Sequence, residues 1–311
     1  MKKLIILVIL FTPFVSLAHV KWFAQENQYI RPYSLTDVPV LIWILVTIFL
    51  VSIGFYLESN IKIPSRFRAI LDKIGPMAES LASIGFGAAL IIFSLSGFVF
   101  APNLHAEGSF ILFLQGIAGV MIMLGIFERI GALLLLLTFV LGIARYGGIE
   151  MMDTFEMVGF ALYALLVGRP KWKLISTSYG LKFLNNFESY AVPILRIATG
   201  INLIILALSE KIFASSLTYD FLSNYHWNFM QSFGMSNYWF AFSSGVVELL
   251  FGLFFVLGLI TRTATIFLAF FLITTLILLG PLELIGHLPH FSIAIVLLVL
   301  GAGDKLKLHT K

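Results

Sequence analysis

Val38–Leu57 runs for twenty residues without a charged side chain. A helix of that length rises about 30 Å, the thickness of a bilayer's hydrocarbon core. Eight more apolar segments follow in two blocks: Leu81–Phe100, Phe110–Phe127, Ile130–Tyr146 and Thr154–Gly168, then Tyr190–Phe213, Tyr238–Ile260, Thr263–Leu282 and Leu288–Gly303. Hydrophobic residues make up 59% of the chain and charged residues 12%. Soluble domains carry about 25% charged residues, so a lipid bilayer is the expected surrounding. With no water to satisfy open backbone groups, each segment must be a helix. The chain has no cysteine, which excludes disulfides, thiol chemistry and cysteine-ligated clusters. A net charge of +4 is accounted for by loop lysines and arginines and calls for no nucleic acid.

The two blocks echo one another. Gly119, Leu124-Gly125, Arg129, Gly147, Glu150 and Gly168 stand 133 positions before Gly252, Leu257-Gly258, Arg262, Gly280, Glu283 and Gly301, and Gln115 falls where Glu248 does. Identity over Gln115–Pro170 is only 10 of 56 positions, so the argument rests on the register of glycine and charge. In the first segments, Gly87, Ser96, Phe100 and Ala101 stand 113 positions before Gly200, Ser209, Phe213 and Ala214, which leaves an insertion of about twenty residues at Ser215–Trp239. Four segments per block is an even number, so both blocks enter the membrane from the same side, as parallel repeats. The expected fold is an all-α polytopic membrane protein: two parallel four-helix bundle repeats plus one extra N-terminal transmembrane helix.

Lys2-Lys3, Leu4–Val15 and Ser16-Leu17-Ala18 have the three parts of a secretory signal peptide, with a mature chain beginning at His19. The expected organisation is a signal peptide at 1–18, a periplasmic segment at 19–37, the extra helix at 38–57 and a cytoplasmic loop at 58–79. The first repeat covers 80–170, a cytoplasmic linker 171–189, the second repeat 190–304 and a cytoplasmic tail 305–311. Lys62, Arg66, Arg68, Lys73, Arg129, Arg169, Lys171, Lys173, Lys182, Arg262, Lys305, Lys307 and Lys311 then share one side, against Lys21, Arg31, Arg145 and Lys211 on the other, and the positive-inside rule makes the richer side cytoplasmic. The other side, periplasmic in an inner-membrane protein, carries His19, His105, His226, His287 and His290 with Glu107, Glu150, Asp153, Glu156 and Glu283.

Glu248 lies about ten residues into its segment, where an ionised carboxylate costs at least about 2.5 kcal/mol. It is expected inside the bundle beside a cation, with Arg145 and Lys211 the candidates ahead of Arg196, which opens its helix on the inner side, and Glu156 joining the same polar, cofactor-binding cavity; a structural lock between helices is the alternative. His287 and His290 flank Leu288-Pro289. With Pro289 as first helical residue both imidazoles would sit at a helix mouth, as metal ligands or as interfacial caps. His19 as a mature terminus would combine an amine and an imidazole in a chelate suited to Cu(II). With His105, His287 and His290 it forms the candidate metal set. Arg129 and Arg262 read as topology anchors, and the aromatic stretch Ser215–Trp239 as an interfacial loop.

Arg196-Ile-Ala-x-Gly200 opens a helix ending in Ser209-Glu210-Lys211, and Glu248-x3-Gly252 and Leu257-Gly258-Leu259-x-x-Arg262 follow. This pattern resembles the DoxX-like family of small four-helix membrane proteins. The second block matches best; the first looks like a degenerate copy, with Ser83 in place of Arg196 and Gly97-Phe98 in place of Glu210-Lys211. The stretch Ala18-His19-Val20-Lys21-Trp22-Phe23 looks like the start of tandem proteins of this type. The resemblance implies four-helix bundles and an association with quinone-linked oxidation of sulfur compounds or with oxidative-stress complexes, and it supplies no catalytic residues. The expected role is therefore an accessory subunit of periplasmic or quinone-linked redox chemistry with redox partner proteins. The alternatives are a protein handling copper or another metal, and a small-solute carrier or scaffold. Quinone and copper are the two cofactor candidates.

Overall fold

The computed structural model describes residues 20–24, 29–60, 64–106, 110–168 and 181–308. The expected leader at 1–18 and His19 lie outside the described residues. Among the described residues eleven α-helices follow in order: α1 Val38–Asn60, α2 Ser65–Leu95, α3 Phe110–Leu124, α4 Glu128–Tyr146, α5 Gly148–Met152, α6 Glu156–Val167, α7 Ala191–Leu206, α8 Ser215–Tyr225, α9 Asn237–Leu257, α10 Thr261–Leu279 and α11 Pro281–Leu300. Among the described residues seven helical spans are long and apolar enough to cross a membrane, and α3 and α6 are shorter apolar helices. The protein is an all-α polytopic membrane protein.

Two expected loops are largely helical. Most of 58–79 belongs to the end of α1 and the first half of α2, which continues through Pro76 for 31 residues. In the aromatic insertion, α8 packs Leu217, Phe221 and Leu222 against Val20, Phe240 and Ala241.

Neighbouring helices pack in the order α2–α3–α4–α6 and α7–α9–α10–α11. The two blocks are not separate bundles. The helix α11 packs along α2, and α6 packs along α7, so each block's first helix lies against the other's last. One hydrophobic core runs through both, from Phe86, Phe93 and Phe160 to Leu203, Phe255 and Val296.

Equivalent contacts recur at the offsets seen in the sequence. A Cβ on Gly87 would come 2.5 Å from the carbonyl of Gly119, and one on Gly200 would come 2.7 Å from that of Gly252. Glycine at these sites lets α2 meet α3, and α7 meet α9, backbone to backbone. Arg129 donates to Leu165 O and Leu166 O at 3.0 and 3.4 Å, and Arg262 to Leu298 O and Val299 O at 3.1 and 3.0 Å. Both arginines thus cap the terminal carbonyls of α6 and α11, which have no partner within their own helices.

The helix α1 stands at the rim. Leu41, Leu45, Ile48 and Phe49 are exposed along its length. It is held to α9 by Trp43, whose indole donates to Ser243 at 2.9 Å, and by Gly54 against the ring of Phe254.

Candidate functional site

The site begins with an irregularity in α7. At Ala207–Ile212 the helix widens into a π-helical turn. Neighbouring residues on a regular helix diverge by about 100°, so one of two adjacent side chains normally leaves the core. The wider turn keeps both Glu210 and Lys211 inside, at 0% and 1% exposure. Such turns frequently mark functional positions. Lys211 Nζ donates to Glu248 Oε2 at 2.7 Å, and both side chains are buried. Glu210 accepts the backbone N–H of Val20 at 2.8 Å.

The N-terminal strap Val20–Ala24 lies over this end of the protein. Lys21 Nζ reaches Asp153 at 2.5 Å and Glu150 at 3.6 Å. Burial pushes Asp153 up to about 6 even though the hydrogen bond and charge of Lys21 pull it down. Burial works against the charged form of Lys21, but its bond to Asp153 and the surrounding carboxylates outweigh this and hold its pKa above the ordinary value. Trp22 donates to Asn103 at 3.2 Å and packs against His287, with ring centroids 5.1 Å apart and planes tilted by 43°. Its ring fills the space over Gly286, where a Cβ would lie only 2.1 Å from the indole.

The third side comes from α11. Gly280, at φ +87°, ends α10, and Pro281 starts α11 at its first turn. This corrects the placement of His287 and His290 at a helix mouth. Pro289 lies inside the helix, and both histidines are buried at 1% and 5%. His287 Nδ1 is 2.8 Å from Glu283 Oε2, one turn back, and its ring centroid is 5.3 Å from that of His290. His290 Nε2 lies 3.9 Å from Glu156 Oε1 on α6. Asn202 of α7 completes this corner by accepting the Phe155 N–H at 2.9 Å. Glu210 and Glu248 lie within electrostatic reach of each other and of His287.

Of the residues proposed for the polar cavity, Glu248, Lys211 and Glu156 share this buried cluster. Arg145 does not. It is exposed, with its guanidinium 5.5 Å above the ring of Tyr146, and Lys211 is the cation that reaches Glu248. His105 is also exposed; its carbonyl accepts from Tyr146 Oη at 2.5 Å and its ring meets Phe98. Among the described residues no group of three or more His, Asp or Glu side chains is disposed to hold a metal ion.

Lys21, Asp153, Glu210 and Glu283 join the site without having been chosen from the sequence. The Glu283–His287 spacing of four residues was a readable signal, hidden by starting the helix at Pro289 instead of Pro281. In the position equivalent to Glu248, Gln115 spends its amide on Phe100 N–H, Leu90 O, Ser94 Oγ and Phe98 O. The charged pair therefore belongs to the second block alone.

Comparison with curated proteins and with solved structures gives no match. The family model described as DoxX matches residues 191–281, from the start of α7 through α8, α9 and α10 to the first residue of α11. Residues 191–281 thus match a DoxX domain, carried within a multi-pass membrane protein.

Proposed function

We propose that this protein is an inner-membrane subunit that exchanges protons at its periplasmic face in support of quinone-linked redox chemistry. The observation that carries the reading is the burial of Glu156, Glu210, Lys211, Glu248, Glu283, His287 and His290 in one cluster. Ionisable groups at membrane depth are costly and mark ion or proton relays. Reduction of a quinone by two electrons also takes up two protons, and paired histidines and carboxylates are suited to deliver them. An apolar groove between α1, α9 and α10 is lined by Leu50, Ile53, Leu57, Phe251, Phe254 and Phe267. The lysine and arginine asymmetry supports a periplasmic cluster and a cytoplasmic C-terminus. The contacts recurring at Arg129 and Arg262 support reading the chain as tandem parallel repeats. Extraction of the purified protein in mild detergent tests the proposal: retained quinone, reduced in Glu248→Gln and His290→Phe, is expected. Failure of the wild type to retain quinone or to bind a short-chain analogue overturns it.

A second reading is a copper-binding periplasmic face, favoured by the seating of Val20 on Glu210. Residue 19 is one Cα–Cα step, about 3.8 Å, from Val20. The seat of Val20 on Glu210 and of Trp22 against His287 brings the described end of the strap to the polar cluster. The fixed imidazoles are already engaged with Glu283 and Glu156, so the amine and imidazole of a processed His19 would have to supply most of the ligands. Metal analysis separates this reading from the first. Tighter Cu(II) binding by processed protein than by a variant with alanine inserted before His19 is its expected result, and equal affinity removes it. A protein with neither quinone nor copper leaves the carrier or scaffold reading.

A further inference from the structure

A second set of titratable groups lies beneath the cluster, at the opposite end of the same helices. On α6, Glu156, Phe160 and Tyr163 follow at the i, i+4, i+7 spacing that shares one helical face, and they are 2%, 0% and 1% exposed. Phe160 stacks on Phe86 of α2, with centroids 3.7 Å apart and rings 5° from parallel. One turn beyond that stack, Ser83 donates to the buried Glu128 at 3.3 Å. The Tyr163 ring lies 5.6 Å from that of Phe160, with Glu128, Glu79 and Glu188 within electrostatic reach.

Exposure grows outward in both directions from the stacked rings. Toward one face it rises from Glu156 to Asp153 and then to the half-buried Glu150. Toward the other it rises from Tyr163 and Glu128 to the half-buried Glu79 and the exposed Glu188. The two innermost groups also have unused hydrogen-bonding capacity: Glu156 Oε2 and the Tyr163 hydroxyl have no hydrogen-bond partner among the described residues. Glu156 is faced by His290 of α11 and Asn202 of α7, with Asp153 nearby. Seven residues of helix separate Glu156 from Tyr163, a rise of about 10 Å. That gap is too long for a direct hop and is filled by two phenyl rings.

We propose that this protein carries a transmembrane proton path from Asp153 and Glu156 to Tyr163 and Glu128, closed by the Phe86–Phe160 stack. A proton taken from water by the Glu156 carboxylate leaves to a file of water molecules when the rings part. The Tyr163 hydroxyl relays it, accepting one proton and releasing another, and Glu128 takes it and returns it to water at the second face. No electron moves and no covalent bond other than O–H changes. The second block has no counterpart: Thr199, Ile293, Val296 and Thr261 stand at the positions equivalent to Phe86, Phe160, Tyr163 and Glu128. The path does not rest on the quinone reading.

Proteoliposomes holding a pH-sensitive dye, energised by a potassium diffusion potential with valinomycin and free of quinone, provide the test. Opening the gate by Phe86→Ala is expected to raise proton flux about tenfold over wild type, a barrier change of a single hydrogen-bond exchange in size. Phe160→Leu, which removes the ring but keeps apolar volume, is expected to act in the same direction. Adding Glu156→Gln or Tyr163→Phe to Phe86→Ala is expected to return the flux to the wild-type level. Phe271→Ala, an equally buried ring in the second block, is expected to leave it unchanged. Flux that does not rise in either gate variant, in protein that remains monodisperse, overturns the proposal. So does flux that persists in the double variants or appears equally in Phe271→Ala, since a nonspecific hole would behave that way. A protein that holds quinone yet fails this test leaves the proposed function intact, and the converse also holds.

Discussion

At the scale of single residues, Glu248 shows what burial dictates. The cost of a carboxylate at membrane depth was enough to expect it inside and beside a cation. Which cation could not be read, because Lys211 reaches it only through the extra residue of the π-helical turn, and no periodicity announces that turn. Removing one member of a buried pair strands the other charge, at a cost of about 3–5 kcal/mol. Lys211→Met and Glu248→Gln are therefore each expected to lower resistance to unfolding in detergent. The double variant Lys211→Met/Glu248→Met should recover most of the loss, a non-additivity that a double-mutant cycle measures. Asp153 gives a pH signature. Its pKa is higher in the folded protein, about 6, than the ordinary 3.8. The stability it contributes is thus complete below about pH 4 and lost as pH rises through about 6. The melting temperature of the wild type relative to Asp153→Asn should fall across that window. A difference that rises instead would show that the Lys21 pair outweighs burial.

At the scale of helices, the glycine and arginine punctuation was legible in the sequence, but the contacts it makes were not. Arg129 and Arg262 looked like topology anchors because each opens a helix at the charged face. Their guanidinium groups in fact close the ends of α6 and α11, whose last carbonyls would otherwise lack partners. Arg262→Ala is expected to cost about 1–3 kcal/mol through those unpaired carbonyls, with Arg129→Ala similar. The same reading misplaced α11. Pro289 suggested a helix start, yet an interior proline is tolerated in membrane helices. Gly280-Pro281 was the stronger boundary, since the glycine supplies the positive φ and proline suits the first turn. The close approach of α7 and α9 gives a further expectation. Gly200→Ala puts a methyl 2.7 Å from Gly252 O and should destabilise the protein by about 1–3 kcal/mol, whereas Gly116→Ala, with its nearest neighbour at 3.5 Å, should be nearly silent. Similar losses in the two variants would show that the helices part without strain.

At the scale of the molecule, hydropathy sufficed for an all-helical membrane protein, because lipid permits little else. It could not reveal that the blocks exchange neighbours, since an apolar stripe does not name the stripe it meets. With α6 on α7 and α11 on α2, neither block closes its own core. Fragments divided in the 171–180 segment are expected to copurify when expressed together and to be degraded when expressed singly. Two halves that each purify as stable monomers would contradict the shared core.

The strap also sets an order of events. Lys21 and Trp22 leave the ribosome first, yet their partners Asp153, Gly286 and His287 are made much later. At about 5–20 residues per second, some 15–50 s of synthesis separate Trp22 from the helix it packs against. Seating of Val20–Trp22 therefore cannot precede the insertion of α11, the helix that also brings Glu283, His287 and His290 to the cluster.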